Sequence, residues 1–191
     1  MGDKLQAKQS AVACPGSRQR SPAQGRLRDS AILSLDGALL LRQRRWSREL
    51  ALEFLDGIEE PSRPTLAWLV TPEAMWPEAD KASNVGLGLS PSQVARELAL
   101  ATSGLRIYAA EHPIVSRWLR HLFAAAHLGK PPFVVRDVFS LFLSITRDEA
   151  DVRAASAAAN TIEVSTRAAA EAGRHARFAR SLASLADTGR D

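Results

Sequence analysis

The sequence has a single cysteine, Cys14, so the chain cannot form an internal disulfide bond and a reducing compartment is expected. It has no apolar stretch long enough to cross a bilayer, and its first residues lack the apolar core of a signal peptide. These features predict a cytoplasmic protein without membrane contact. The remaining composition, 46% hydrophobic and 24% charged in 191 residues, is ordinary for one globular domain with a buried core.

The net charge of +4 is unevenly distributed along the chain. Residues 1–48 contain ten Lys or Arg and three Asp or Glu, whereas residues 49–191 contain fifteen and eighteen. Residues 1–29 are rich in Gln, Ser, Arg, Gly and Pro without apolar periodicity, which predicts a disordered basic tail. Such a tail either contacts nucleic acid or is simply solvated. The folded domain is predicted to cover residues 30–188.

Apolar patterns predict the element order β-β-β-α-β-α-β-α-α. The predicted strands are Ala31–Leu41, Glu49–Leu55, Thr65–Val70, Leu105–Ala109 and Phe133–Val135. Three consecutive strands indicate an antiparallel meander, and the later alternation of helix and strand indicates an α/β fold. The fold class is therefore a mixed sheet, with a three-strand antiparallel meander plus two further strands and flanking helices. This is the ribonuclease H-like arrangement.

Capping residues and apolar patterns define the predicted helices and the second strand. Ser90 precedes Pro91 and begins one helix, and Asp137 caps another. In Pro113–Leu128 one face is apolar, and we expect it to be buried. In Glu49–Leu55 apolar and charged residues alternate, which predicts a half-exposed strand. Residues 148–186 are alanine-rich and predict two helices broken near residues 160–165.

Asp36 is the one carboxylate in the apolar run Ala31–Leu41. A charge within a buried strand is costly unless it is paired or binds a metal. Asp36-Gly37 between apolar runs is also a strong turn signal. The pattern therefore leaves two interpretations open: a turn between short strands, or a metal-binding carboxylate on a central strand.

Four segments give the chain a family likeness: ILSLDG, TLAWLVTP followed by Trp76 and NVGLG, IYAAEHPIVSRWLRHLFAAAHLGKPPF, and GRHARFARSLASLA. On these segments, residues 30–186 resemble the 3′-to-5′ exonucleases of the DEDDh class, especially its compact bacterial exonuclease-like proteins. The match is one of pattern and spacing. The resemblance implies a ribonuclease H-like fold and indicates which residues stand at the positions of the family's active site.

Enzymes of this class hold two divalent ions with about four carboxylates and use a histidine as general base. At the corresponding positions the chain retains the candidate catalytic residues Asp36 and His175. Ala38, Val115 and Arg180 stand where the other three carboxylates are expected. One carboxylate cannot hold two divalent ions, and an arginine opposes a cation electrostatically. The resemblance thus implies the fold, whereas the residues at these positions argue against a metal site, a cofactor and catalysis. If Mg²⁺ or Mn²⁺ is retained, Asp36 is the expected ligand.

The residues also suggest what replaces the metal site. We expect Arg180 to pair with Asp36, which would turn a cation site into a structural ion pair. Glu111, Glu49 and Glu53 are the other carboxylates within reach of the expected cleft, but none restores the set of four.

The connection after the first strand combines cations with an aromatic ring, in Arg42, Arg44, Arg45, Trp46 and Arg48. This combination suits single-stranded nucleic acid, although a solvated hairpin connection has the same composition. The leading prediction is a degenerate exonuclease-like protein that binds nucleic acid without cutting it. The alternatives are a protein-interaction or regulatory scaffold with a protein partner, and a weak metal-dependent exonuclease.

Overall fold

The computed structural model describes residues 22–36, 49–56, 63–71, 88–146, 148, 150, 152–153 and 167–188. Its elements, in chain order, are α1 (Pro22–Arg28), β1 (Ser30–Leu35), β2 (Glu49–Phe54), β3 (Leu66–Leu69), α2 (Pro91–Ala101), β4 (Arg106–Ala109), α3 (His112–Ala125), β5 (Val135–Asp137), α4 (Val138–Thr146) and α5 (Ala168–Thr188). Within these ranges, none of the helices combines the length and the apolar character that crossing a membrane requires.

The five strands form one mixed sheet in the spatial order β3-β2-β1-β4-β5, with β1 at its centre. The pairs β1–β2 and β2–β3 are antiparallel and form a meander. Each of β4 and β5 follows a helix, and the pairs β1–β4 and β4–β5 are parallel. A helix between two strands returns the chain to the same end of the sheet, as parallel pairing requires. The predicted α/β class, with a mixed sheet and flanking helices, is confirmed.

One face of the sheet is covered by α2 and α3. The apolar face predicted for α3 is buried at all six positions: Val115, Trp118, Leu119, Leu122, Phe123 and Ala126. It packs against the strand residues of the same core, among them Leu33, Leu35, Leu50, Leu52 and Ile107. The predicted start of α2 is also confirmed, because the Ser90 side chain accepts a hydrogen bond from the backbone of Gln93.

The opposite face is covered by α1, α4 and α5. α4 begins after Asp137, whose Oδ1 accepts a hydrogen bond from the Phe139 backbone at 3.0 Å, so the predicted cap is confirmed. α5 presents small residues to the sheet at helical spacing, namely Ala168, Ala172, Ala176, Ala179 and Ala183, all fully buried. Alanine at these positions lets the helix lie close to the strands.

The prediction that β2 is half-exposed is wrong. Its alternation is as expected, with Leu50, Leu52 and Phe54 in the core under α2 and α3. Its second face is also buried, however, because α5 packs on it. Ala51 belongs to the second core, the apolar cluster between this face of the sheet and α1, α4 and α5, and Glu53 is 5% exposed. Neither residue is apolar enough to predict a covering layer. That layer is formed by a helix more than 100 residues later in the chain.

The prediction of a disordered tail through residue 29 is wrong at its C-terminal end, because residues 22–28 form α1. Leu27 is 1% exposed and lies in the second core. The backbone carbonyl of Arg26 accepts hydrogen bonds from Ser30 Oγ at 2.8 Å and from Arg106 Nη2 at 2.7 Å. A single apolar residue in a polar, basic segment is too weak a pattern to predict such docking. Residues 1–21 lie outside the described ranges.

Several element boundaries also differ from the predictions. β1 ends at Leu35 rather than Leu41, and residues 37–48 lie outside the described ranges. β5 is Val135–Asp137, two residues later than predicted. α5 begins at Ala168, and the predicted break near residues 160–165 is outside the description.

Candidate functional site at the carboxyl edge of the sheet

Asp36 follows β1 directly, so it lies at the end of the central strand and not within it. Its backbone N–H donates to the Glu49 carbonyl at 3.0 Å, and the Glu49 backbone N–H donates to Asp36 Oδ1 at 3.1 Å. These two hydrogen bonds close the β1–β2 pair. The strand stops before Asp36, which agrees with the turn interpretation. The Asp36 side chain is half-buried.

Because β1, β4 and β5 are parallel, their carboxyl ends lie at the same edge of the sheet. This edge carries Asp36 after β1, Glu111 after β4 and Asp137 at the end of β5. Glu111 is the N-cap residue of α3, without a side-chain cap hydrogen bond, and Asp137 caps α4. Glu49 Oε1 accepts a hydrogen bond from the Ala169 backbone at 3.3 Å, at the start of α5. Two of these four carboxylates therefore support helix starts.

The described residues do not bring these carboxylates together as metal ligands. Within the described ranges, no three side chains of the His, Cys, Asp or Glu type are grouped as a metal ion would require. Val115, which the resemblance predicted to stand where a second aspartate would bind metal, is 1% exposed in the apolar core under α3. A carboxylate there would face that core and not the edge that carries Asp36.

His175 lies on α5 beside Glu171 and Arg174. Its Nε2 is 3.6 Å from Glu171 Oε2 and 3.4 Å from Arg174 Nη2, while Arg174 Nη2 is 2.7 Å from the same Glu171 oxygen. Burial, and then the Arg174 charge, lower the pKa of His175 to about 4, although Glu171 acts in the opposite direction. The imidazole is therefore neutral at pH 7 and a weak base. Glu171 Oε1 is buried and has no hydrogen-bond partner among the residues that the structure describes.

The prediction that Arg180 pairs with Asp36 is wrong. Arg180 Nη2 lies 3.2 Å from Glu53 Oε1 and 2.6 Å from the Phe54 carbonyl oxygen. Asp36 is bonded to Glu49 at the start of β2, and Glu53 is four residues further along that strand. This places the two sites about 13 Å apart along β2, at the usual rise per residue. Asp36 and Arg180 therefore do not share a cleft.

Glu53 has a third partner, because the Thr65 hydroxyl donates a hydrogen bond to its Oε2. Glu53 is one of the carboxylates expected near the cleft, and it instead lies in a buried ion pair. One signal in the sequence could have indicated that Arg180 is buried, although not which carboxylate it binds. Arg180 follows Ala172 and Ala176 at four-residue steps on the helix, so a cation was to be expected beside their buried face.

The candidate nucleic-acid residues Arg42, Arg44, Arg45, Trp46 and Arg48 lie outside the described ranges. Both ends of the segment that carries them are described, however, and they meet at the Asp36–Glu49 hydrogen bonds. Trp68 and Trp118 are both buried. A scan against protein-family models and a search of curated proteins both find no match to this chain.

Proposed function

We propose that the chain is a degenerate relative of the DEDDh 3′-to-5′ exonucleases, with a ribonuclease H-like fold, which binds single-stranded nucleic acid without cutting it. The order of the elements supports the fold assignment: an antiparallel meander, then two parallel strands, each preceded by a helix. The central position of β1 supports it further, because the family's first metal-binding aspartate belongs to such a strand.

The binding proposal rests on the two hydrogen bonds between Asp36 and Glu49. They hold the two residues that flank the connection 37–48 together at the carboxyl edge of the central strand. This connection contains four arginines and a tryptophan. Arginines neutralise phosphates, and an aromatic ring stacks on unpaired bases. Binding at this edge would use the position of the family's substrate cleft.

The residues at the positions of the family's metal ligands support the proposed loss of nuclease activity. Two divalent ions require about four carboxylates from separate elements. Of the family's four positions, Asp36 alone is a carboxylate, while Val115 is buried in an apolar core and Arg180 binds Glu53. Mg²⁺ or Mn²⁺, if bound, would be held at Asp36 and would polarise a phosphate oxygen there.

Binding is tested by fluorescence anisotropy with a labelled single-stranded oligonucleotide, titrated at several salt concentrations. We expect affinity to fall steeply with salt, because each phosphate contact on a single strand contributes a slope of about −0.7 in log K against log salt. The triple variant Arg42→Gln, Arg44→Gln, Arg45→Gln should reduce the slope by about 2. The matched control is Arg96→Gln, Arg117→Gln, Arg120→Gln, which removes the same charge from exposed positions on α2 and α3.

Binding that is absent at low salt, or weakened equally by both triple variants, would contradict the proposed interface. Cutting is tested separately with the same oligonucleotide in Mg²⁺ or Mn²⁺, using Asp36→Ala as the control. We expect no degradation by either protein. Degradation by the wild type that Asp36→Ala abolishes would instead establish the weak metal-dependent exonuclease.

A further inference from the structure

The outer edge of β3 is the end of the sheet opposite β5. At its C-terminal end it already pairs with one residue of the chain in parallel: the Leu89 N–H donates to the Leu69 carbonyl at 2.7 Å, and the Thr71 N–H donates to the Leu89 carbonyl at 3.1 Å. The Leu69 carbonyl therefore points away from β2. This edge is thus able to accept a neighbouring strand.

Main-chain groups of alternate residues point to the same side of a strand. Since the Leu69 carbonyl points outward, the Leu69 N–H and both main-chain groups of Ala67 point outward as well. Within the part of the chain that the structure describes, no hydrogen bond satisfies these three groups. They form a short open ladder, which is the feature that an added strand recognises.

An apolar groove of about 620 Å³ lies beside this open edge, between β3 and α2. Its lining residues are Leu66, Ala67, Trp68, Leu89, Glu97, Leu100 and Ala101. Leu100 is 79% exposed, and Leu69, on the other face of β3, is 52% exposed. Apolar side chains with this exposure beside a groove are a feature of binding surfaces. The volume accommodates one or two large apolar side chains.

Among the described residues that line this groove, Glu97 is the one ionisable residue. Its carboxylate is fixed in place, because Oε2 accepts a hydrogen bond from Trp68 Nε1 at 2.8 Å and Oε1 accepts one from Gln93 Nε2 at 3.1 Å. Each carboxylate oxygen has further acceptor capacity. The rim of the groove therefore favours a cationic group on the ligand.

We propose that an extended peptide segment of a partner protein binds here as a sixth strand beside β3. Its main chain pairs with Ala67 and Leu69, an apolar side chain enters the groove, and a Lys or Arg contacts Glu97. A second copy of the chain fits less well, because β3 itself carries no cation to offer Glu97. This partner site lies on β3 and α2 and does not depend on the proposed nucleic-acid interface.

The test uses a displayed library of random peptides of roughly 12 residues, a length that covers a strand of this type. We expect selection of peptides with a Leu, Ile or Phe near a Lys or Arg. A synthetic peptide of the selected sequence should bind Leu100→Glu and Ala67→Pro about tenfold or more weakly than wild type. Ala67→Pro removes an outward N–H of an edge strand, where proline is tolerated.

The control is Val134→Glu, which alters a residue that is 75% exposed and outside the groove, and it should leave binding unchanged. Circular dichroism establishes whether each variant is folded. If Ala67→Pro does not fold, the proposal is tested with Leu100→Glu alone. Failure to enrich any sequence, or binding equally affected by the control, overturns the proposal. A wild-type dimer in light scattering that Leu100→Glu dissociates overturns it too, because the occupant is then a second copy.

Discussion

Arg180 on α5 and Glu53 on β2 form an ion pair at 3.2 Å, although 127 residues separate them in sequence. Their side chains are only 8% and 6% exposed. Arg180 also donates a hydrogen bond to the Phe54 carbonyl, and the Thr65 hydroxyl donates one to Glu53. The pair therefore joins α5 to β2 and to the residue just before β3. Within the described ranges, Arg180 Nε is buried and has no hydrogen-bond partner.

Replacing Arg180 with Met should destabilise the protein by about 3–5 kcal/mol, because Glu53 is left as an uncompensated buried charge. The double variant Arg180→Met, Glu53→Leu should recover most of that loss, since an apolar pair avoids the desolvation of two charges. Urea unfolding measures both. Arg177→Met, at an exposed position of the same helix, is the control. Equal losses in the single and double variants would show that the ion pair is not the cause.

His175 should make the stability depend on pH below neutrality. Its pKa is lowered to about 4 in the folded protein from the ordinary histidine value of 6.5, so between these values the unfolded chain binds the additional proton. Stability is therefore fully present above pH 6.5 and is lost as the pH falls toward 4. The expected loss between about pH 7.5 and about pH 5 is roughly 2 kcal/mol relative to His175→Gln. Identical pH profiles for the two proteins would contradict the burial of His175.

Leu27→Ala should cost about 2–3 kcal/mol, because α1 docks on the second core through this side chain. Arg28→Ala, at the exposed neighbouring position, should change stability by less than about 0.5 kcal/mol. Thermal or urea unfolding distinguishes the two. If Leu27→Ala has no effect, α1 does not contribute to the fold and the domain begins near residue 30, as the sequence predicts.

Ala176→Leu should destabilise the protein by about 1–3 kcal/mol or more, because the larger side chain would force α5 away from the sheet. Ala170→Leu introduces the same side chain at an exposed position of the same helix and should be close to neutral. Unfolding in urea compares the two variants. Similar stabilities would mean that the alanine face of α5 tolerates larger residues and is not closely packed.

The sequence predicted the elements whose pattern is local. The six buried positions of α3 follow from the 3.6-residue period, and the starts of α2 and α4 follow from Ser90 and Asp137. It did not predict the second layer on β2, because Ala51 and Glu53 resemble an exposed face until α5 covers them. The choice of Glu53 over Asp36 as the partner of Arg180 depends on how α5 lies across the sheet. No local pattern contains that information.

The Asp36–Glu49 hydrogen bonds close the β1–β2 pair between two residues that lie outside the connection 37–48. The free energy of loop closure grows slowly, by about 0.6 kcal/mol for each doubling of length, so connections of different lengths are compatible with the same β1–β2 pair. We therefore expect residues 37–48 to be exchangeable. A short turn grafted between Asp36 and Glu49 should remove the arginines and leave the core intact. A connection taken from another protein should give the same sheet the binding properties of that connection.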